Sequence, residues 1–534
     1  MGKSEGQTLS DRPKPGKRYS WYVLFVLVIV YVFNFIDRQI LSILNEDIKA
    51  DLGLTDAQMG FLFGTAFAVF YAIFGIPLGR LADMWVRRKM IAVGLFFWSL
   101  MTALSGTARG FAGLATFRIG VGIGESSASP AAYSMLGDFF PPRLRATAVA
   151  IYSSGIYIGA GLGMLIGGQI VGRWNTAFPD SSTAPLGLVG WQAAFFAVGL
   201  PGMIMALWVW TLREPIRGQS EGLPPPKRHP SPFKEFATEL SSVLPPLTLI
   251  TLGKLGGSSA VLVNLVGAFT IVCSVLVSIS LVGSPSQWVA LGIGLYSFFS
   301  WIQGLRIRDR VAFELIFKCP SLMFGIVGFA WCAFVGYGVG YWTAPYFIRV
   351  HGESPAQVGT YLGLTAMGAG WFGVTLSGVI SDFWKVRSSY ARLNCGMISA
   401  ALSVPSGYVL FTTNEVEVAY LANIFFTTTS CFWIGSAIAM TNELVLPRMR
   451  ATASATYILI VTFIGLALGP FVMGQVSTTL TDGGGDPGLA LRSGVLYGLF
   501  GYLFAMLFFL ASARSLVRDE GRRIVRARDL GEDV

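Results

Sequence analysis

Gly53-Leu54-Thr55-Asp56-Ala57-Gln58-Met59-Gly60-Phe61-Leu62-Phe63-Gly64 returns 299 residues later as Gly352-Glu353-Ser354-Pro355-Ala356-Gln357-Val358-Gly359-Thr360-Tyr361-Leu362-Gly363. Gly53, Ala57, Gln58, Gly60 and Gly64 keep their identity as Gly352, Ala356, Gln357, Gly359 and Gly363. At the same offset Gly79-Arg80-Leu81-Ala82-Asp83 becomes Gly378-Val379-Ile380-Ser381-Asp382. Farther on, Pro142-Arg143-Leu144-Arg145-Ala146-Thr147-Ala148 becomes Pro447-Arg448-Met449-Arg450-Ala451-Thr452-Ala453, at offset 305. Three matched blocks in one order are an internal repeat. Each copy holds an even number of apolar runs, so both cross a membrane in the same sense. Parallel repeats related by an axis along the membrane normal are a carrier architecture.

Composition requires the membrane. Of 534 residues, 53% are hydrophobic and 13% charged, and the mean hydropathy is +0.61. A soluble domain carries about 25% charged residues. Several apolar runs exceed the roughly 20 residues that cross a hydrocarbon core. They predict spans at 21–44, 57–78, 90–107, 112–138, 146–171 and 190–212 in a first six-helix bundle (21–212). The second bundle (319–512) has 319–347, 356–380, 391–411, 418–442, 453–478 and 490–512. Between them, 213–318 reads as a linker with Pro224-Pro225-Pro226-Lys227-Arg228 and an inserted hydrophobic hairpin, 257–282 and 286–303, turning at Gly283-Ser284-Pro285. The fold class is all-α membrane protein. Residues 1–20 and 513–534 are read as polar tails. The first apolar run is too long for a signal peptide and is expected to be retained.

The net charge of +10 does not point to nucleic acid, because the basic residues lie in loops and tails. With both termini cytoplasmic, inside loops and tails hold 32 of 39 Lys and Arg residues. Outside loops hold five: Lys49, Arg109, Arg173, Arg349 and Arg492. That asymmetry is the positive-inside pattern and sets the orientation; the expected location is the plasma membrane, a bacterial inner membrane. The five cysteines form no CxxC, and the two histidines, His229 and His351, lie in loops. Neither a metal site nor a cofactor is expected. No Gly-x-x-x-x-Gly-Lys-(Ser/Thr) occurs, which argues against ATP-driven transport.

Gly79 to Lys89, with Asp83, Arg87 and Arg88, resembles the signature loop after the second span of major facilitator proteins. Met84 and Val86 replace its expected basic residue and glycine. Asn34-Phe35-Ile36-Asp37-Arg38-Gln39, Arg118-Ile119-Gly120-Val121-Gly122-Ile123-Gly124-Glu125 and Phe140-Pro141-Pro142-Arg143-Leu144-Arg145 resemble the Spinster family, particularly its bacterial members. The resemblance implies a major facilitator fold, no enzymatic activity, and movement of lysophospholipids or sphingoid lipids. It also implies that Asp83 and Asp382 brace the outward-facing state against helix N-termini of the opposite half, beside Arg143–Arg145 and Arg448–Arg450. The hairpin lies outside the family's twelve-span plan.

Ionisable residues inside spans are functional candidates by default. Arg118 and Glu125 are two helical turns apart, on one face with Ser129; Asn34 and Arg38 share a face beside Asp37. At the repeat offsets Asp37 and Arg38 correspond to Gly336 and Tyr337, and Arg118 and Glu125 to Asn423 and Ser430. The second half keeps the scaffold and loses the charges, which marks a specialised polar wall. Tyr337, Tyr341, Trp342, Phe425, Phe426, Phe432 and Trp433 suggest an aromatic wall opposite. The expected partners are membrane lipids, an amphipathic or small organic anion and protons, on a monomer. Arg38 or Arg118 would bind the anion, and Glu125 and Asp37 would carry counter-charge or protons. A permanent ion pair gluing span 1 to span 4 is the bland alternative. A small-organic-anion carrier, a lipid-acting membrane enzyme and a channel are the competing classes. Gly120, Gly122 and Gly124 read as helix packing rather than a nucleotide loop.

Overall fold

A computed structural model describes residues 17–218, 220 and 230–532. The proline-rich stretch 224–228, His229 and most of the N-terminal tail lie outside the described residues. Among the described residues there is no strand, and twelve helices are long and apolar enough to cross a membrane. Those of the first half are Lys17–Ile43, Asp56–Met84, Pro142–Ala177 and Gly190–Trp210. Its third and fourth crossings fall short of that measure for visible reasons. Arg87–Ser105 opens on three basic residues, and the fourth is broken between Phe111–Glu125 and Ala128–Phe139. The second half comprises Pro320–His351, Pro355–Lys385, Ala391–Thr412, Val416–Glu443, Pro447–Asp482 and Pro487–Asp529, spans 7 to 12. With the two hairpin helices, Thr248–Val282 and Pro285–Arg308, fourteen crossings place both ends of the described chain on one face, the terminal face.

The repeated block has a local physical reason at each kept residue. Gly53 and Gly352 end the preceding helices at φ +63° and +70°, a left-handed conformation that glycine adopts without strain. Thr55 with Gln58, and Ser354 with Gln357, close reciprocal capping boxes that start spans 2 and 8. Gly60 and Gly359 sit where the halves cross. A Cβ at Gly60 would stand 2.5 Å from the Pro470 carbonyl oxygen, and one at Gly359 2.5 Å from that of Met164. One motif therefore stops a loop, starts a helix and lets span 2 approach span 11 and span 8 approach span 5. These close approaches seal the halves at the face opposite the termini.

The hairpin belongs to neither half. Its first helix bends at Gly257 (φ +66°) and presents an apolar surface to lipid. Its second helix fills the seam between spans 2 and 11. There the Thr65 hydroxyl lies 2.6 Å from Gln287 Oε1 and 2.8 Å from the Ala467 carbonyl oxygen. Trp288 meets Phe471 edge to face, and Phe298 packs on Phe463. The two hairpin helices are joined by a buried polar network. Asn264 donates to Ser300 and Gln303, each at 3.0 Å, and accepts from the Tyr296 hydroxyl at 2.6 Å. Surface helices Pro232–Val243 and Arg310–Phe317 flank the insert at the terminal face.

Candidate functional site

Span 1 brings Asn34, Asp37 and Arg38 to span 4, which carries Arg118 and Glu125, and all five are buried. The Arg38 guanidinium donates through Nη2 to Glu125 Oε2 at 2.6 Å. Arg38 lies among aromatic faces, with ring centroids at 4.7 Å for Phe35, 4.2 Å for Phe67 and 5.5 Å for Tyr71. Such faces favour a cation electrostatically. The sequence reading missed this cage; its signal is an aromatic three residues before the arginine and two more, four apart, on span 2.

Arg118 and Glu125 share a face, but seven residues also separate them by about 10 Å along the helix axis. Arg118 therefore does not pair with Glu125. Its Nη1 donates to the Asp37 backbone carbonyl at 3.0 Å, leaving Nε and Nη2 without partners. Asp37 points away from Arg38, since neighbouring helical residues diverge by about 100°. Its carboxylate lies beside Trp98 and Thr102 of span 3, and neither of its oxygens has a hydrogen-bond partner. Asn34 lies beside Glu125, whose Oε1 is also unpartnered; Ser129 lies beside Tyr71 and Tyr152. Buried polar groups are nearly always paired, so this concentration of unsatisfied donors and acceptors sets the cluster apart.

The second half faces this cluster with a neutral wall. A cavity of about 180 Å³ is lined by Gln39, Gly336, Asn423, Phe426, Ser430 and Cys431, among others. Gly336, Asn423 and Ser430 are the repeat counterparts of Asp37, Arg118 and Glu125, so the pseudo-twofold axis carries the charged wall onto the neutral one. Of the aromatic residues expected there, Phe426 lines the cavity and half-buried Tyr337 stands near Arg38. The others lie elsewhere. Phe425 is 59% exposed and faces outward. Phe432 and Trp433 pack inside the half, Trp433 on Phe329. Tyr341, a turn beyond Tyr337, bolts the closed face, and Trp342 beside it bonds within its own half. Asn45 donates to the Tyr341 hydroxyl at 2.6 Å, and the Trp342 indole donates to the Pro470 carbonyl at 2.8 Å. One helix turn decides between wall and bolt.

The same closed face holds a latch that loop-charge counting hid. Arg349 of the second half reaches Glu46 at 2.7 Å and Asp56 at 2.8 Å, both in the first half. Lys49 and Ser477 also bond Asp56, at 2.7 and 2.6 Å. At the terminal face the expected braces are apart. Exposed Asp83 has no ion pair among the described residues, and Gly79 before it is half-buried. Asp382 pairs with Arg392 of its own half at 2.6 Å. Arg87 binds Asp138 at 2.5 Å and Glu214 at 2.9 Å, while Arg88 donates its backbone N–H to Glu214. Arg145 donates to Gly137, and Arg448 pairs with Asp309 and Glu532. Arg143 and Arg450 are exposed. These groups bond within their own halves or the insert because the halves meet only at the other face, an inward-facing arrangement if the termini are inside.

Residues 27–470 match the Major Facilitator Superfamily. An MFS-type efflux pump of Mycolicibacterium smegmatis is 26% identical over 93% of this chain and 94% of that protein. A probable galactarate/D-glucarate transporter, GudP of Bacillus subtilis, is 31% identical, over 38% of this chain and 42% of that protein. Among solved structures, a bacterial homologue of the human lysosomal transporter Spinster, inward-facing and unoccupied, is 27% identical with a TM-score of 0.70. It spans 95% of this chain and 99% of that one. The repeated scaffold, the charged wall on its first half and these likenesses have one source: the chain belongs to the Major Facilitator Superfamily and is a Spinster-like transporter within it.

Proposed function

We propose that this transporter is a proton-linked secondary carrier of amphipathic organic anions of the lysophospholipid or sphingoid-phosphate class, working by alternating access with both termini cytoplasmic. The observation that carries the reading is the buried Arg38–Glu125 pair on span 1 and span 4, next in sequence to Gln39, which lines a cavity that is otherwise neutral and partly aromatic. An anionic head competes with Glu125 for Arg38, while an apolar tail suits the opposite wall. A carboxylate that loses its arginine in a low-dielectric site takes up a proton more readily, which links the two events. Asp37, buried without a partner, is the second proton-carrying group. The likeness to GudP supports a second reading, small sugar-acid anions on the same arginine.

The test is flux into proteoliposomes of a labelled lysophospholipid, a sphingoid phosphate and a hexarate, with and without a pH gradient, for wild type and Glu125→Gln. Saturable lipid flux that the gradient drives, and that drives no longer in the variant, is the expected result. Flux of the hexarate alone selects the second reading. Gradient-driven flux surviving in the variant makes the pair structural.

A further inference from the structure

Where the hairpin turn meets spans 2 and 11, a cavity of about 330 Å³ opens at the closed face. That volume falls within the range of small-molecule sites. Three bodies supply its polar walls: Gln58 of the first half, Thr478 and Asp482 of the second, Ser286 and Gln287 of the insert. Phe61, Phe111 and Phe471 supply an apolar side.

Gln287 is 1% exposed, and its amide nitrogen has no hydrogen-bond partner. Turning the amide over would exchange its ends at Thr65 but still leave one of them unpaired. A buried amide end left unmade is destabilising, so its presence calls for a ligand group. Thr478 accepts the Ala57 N–H at 2.9 Å, which leaves its own hydroxyl proton to donate. Asp482 stands exposed at the rim, and no lysine or arginine lines the cavity. The walls thus offer neutral donors inside and a single carboxylate outside.

The level of the cavity fixes the kind of molecule that reaches it. Asp482 ends span 11, Ser286 follows the hairpin turn, and Gln58 lies in the first turn of span 2. All three lie at helix ends, the level of lipid head groups. We propose that this cavity binds the head group of an amine-bearing zwitterionic phospholipid, of the ethanolamine type, from the leaflet at the closed face. Phosphate and ester oxygens accept from Gln287, Ser286 and Thr478, and the ammonium meets Asp482. A choline head has no N–H to give the carboxylate, and an anionic head finds no cation. Because both halves and the insert form the walls, a bound lipid holds the closed face together, whatever the carrier moves.

The experiment uses the full chain in detergent, with phosphatidylethanolamine, phosphatidylcholine and phosphatidylglycerol of matched acyl chains added singly. Retained lipid is counted by native mass spectrometry. Wild type is expected to retain the ethanolamine lipid in preference to the other two. Asp482→Asn brings the ethanolamine-to-choline ratio to about one. Gln287→Leu weakens retention of both about tenfold, the loss of one buried hydrogen bond. Thr65 still reaches the Ala467 carbonyl in that variant, so no new orphan hydroxyl results. Equal retention of all three lipids by wild type, a preference for the glycerol lipid, or an ethanolamine preference that survives Asp482→Asn overturns the proposal. Should Gln287→Leu fail to fold, the exposed Asp482 variant decides alone.

Discussion

Arg349→Gln is expected to open the face that this structure holds closed. Arg349 makes four contacts across the halves, at 2.7 and 3.2 Å to Glu46 and 2.8 and 2.9 Å to Asp56. Its side chain is 10% exposed and that of Asp56 2%. When the face opens, all three groups gain water, so the latch favours closure only by the net worth of its charged hydrogen bonds. Even one such bond is worth about 1.5–3 kcal/mol, so the ratio of the two states should change by at least about tenfold. Lys49 and Ser477 still bond Asp56 in the variant, and the Glu46 carboxylate is part-exposed to water, so no buried carboxylate is stranded and the fold survives. Cys431 lines the central cavity and serves as the reporter. With Cys273, Cys319, Cys332 and Cys395 changed to serine, a membrane-impermeant maleimide is applied from the closed face. Wild type should be protected, and the variant should label at least about tenfold faster. An unchanged labelling rate in a variant that melts like wild type would refute the latch.

Gly60→Leu puts a side chain where a Cβ alone meets the Pro470 carbonyl oxygen at 2.5 Å. The same labelling assay should show opening, or melting should fall by the equivalent of about 1–3 kcal/mol. Asn264→Leu removes the centre of the hairpin network, leaving Tyr296 only Thr248 and Gln303 only the Ala260 carbonyl; stability should fall by about 0.6 kcal/mol for each interhelical bond lost, read as a lower melting temperature. At the terminal face, Arg448 holds the Asp309 and Glu532 carboxyls below their ordinary range. Their contribution is complete above the unfolded carboxylate range, near pH 4, and is lost as pH falls through the depressed native values. Protection factors for hydrogen exchange around buried Ala527, taken relative to the intrinsic rate at each pH, should fall on acidification, and Asp309→Asn with Glu532→Gln should remove that dependence.

Much of the site was legible because charge in a membrane is rare. Asp37, Arg38, Arg118 and Glu125 stand out in apolar runs, and the repeat shows that only one half carries them. Their pairing was not legible. Periodicity put Arg118 and Glu125 on one face, yet axial distance gave Glu125 to Arg38 and left Asp37 turned toward Trp98. The aromatic wall failed as a set for a related reason. A helix places successive residues on different faces, so Phe425 meets lipid while Phe426 meets the cavity. Arg349 and Asp56 were invisible as a latch, because nothing local joins residues 293 positions apart.

The sequence alone determined that the chain spans a membrane as two parallel six-helix copies, because hydropathy, capping residues and crossing glycines act within a turn or two of themselves. It also marked the hairpin as an insert, since two apolar runs interrupt the repeat. Only the tertiary structure decided which face is shut, which arginine meets which carboxylate, and that the insert seals the seam between spans 2 and 11. Those outcomes depend on how two bundles and a hairpin dock against one another. Docking is set by side chains far apart in sequence that meet only when the whole chain is packed.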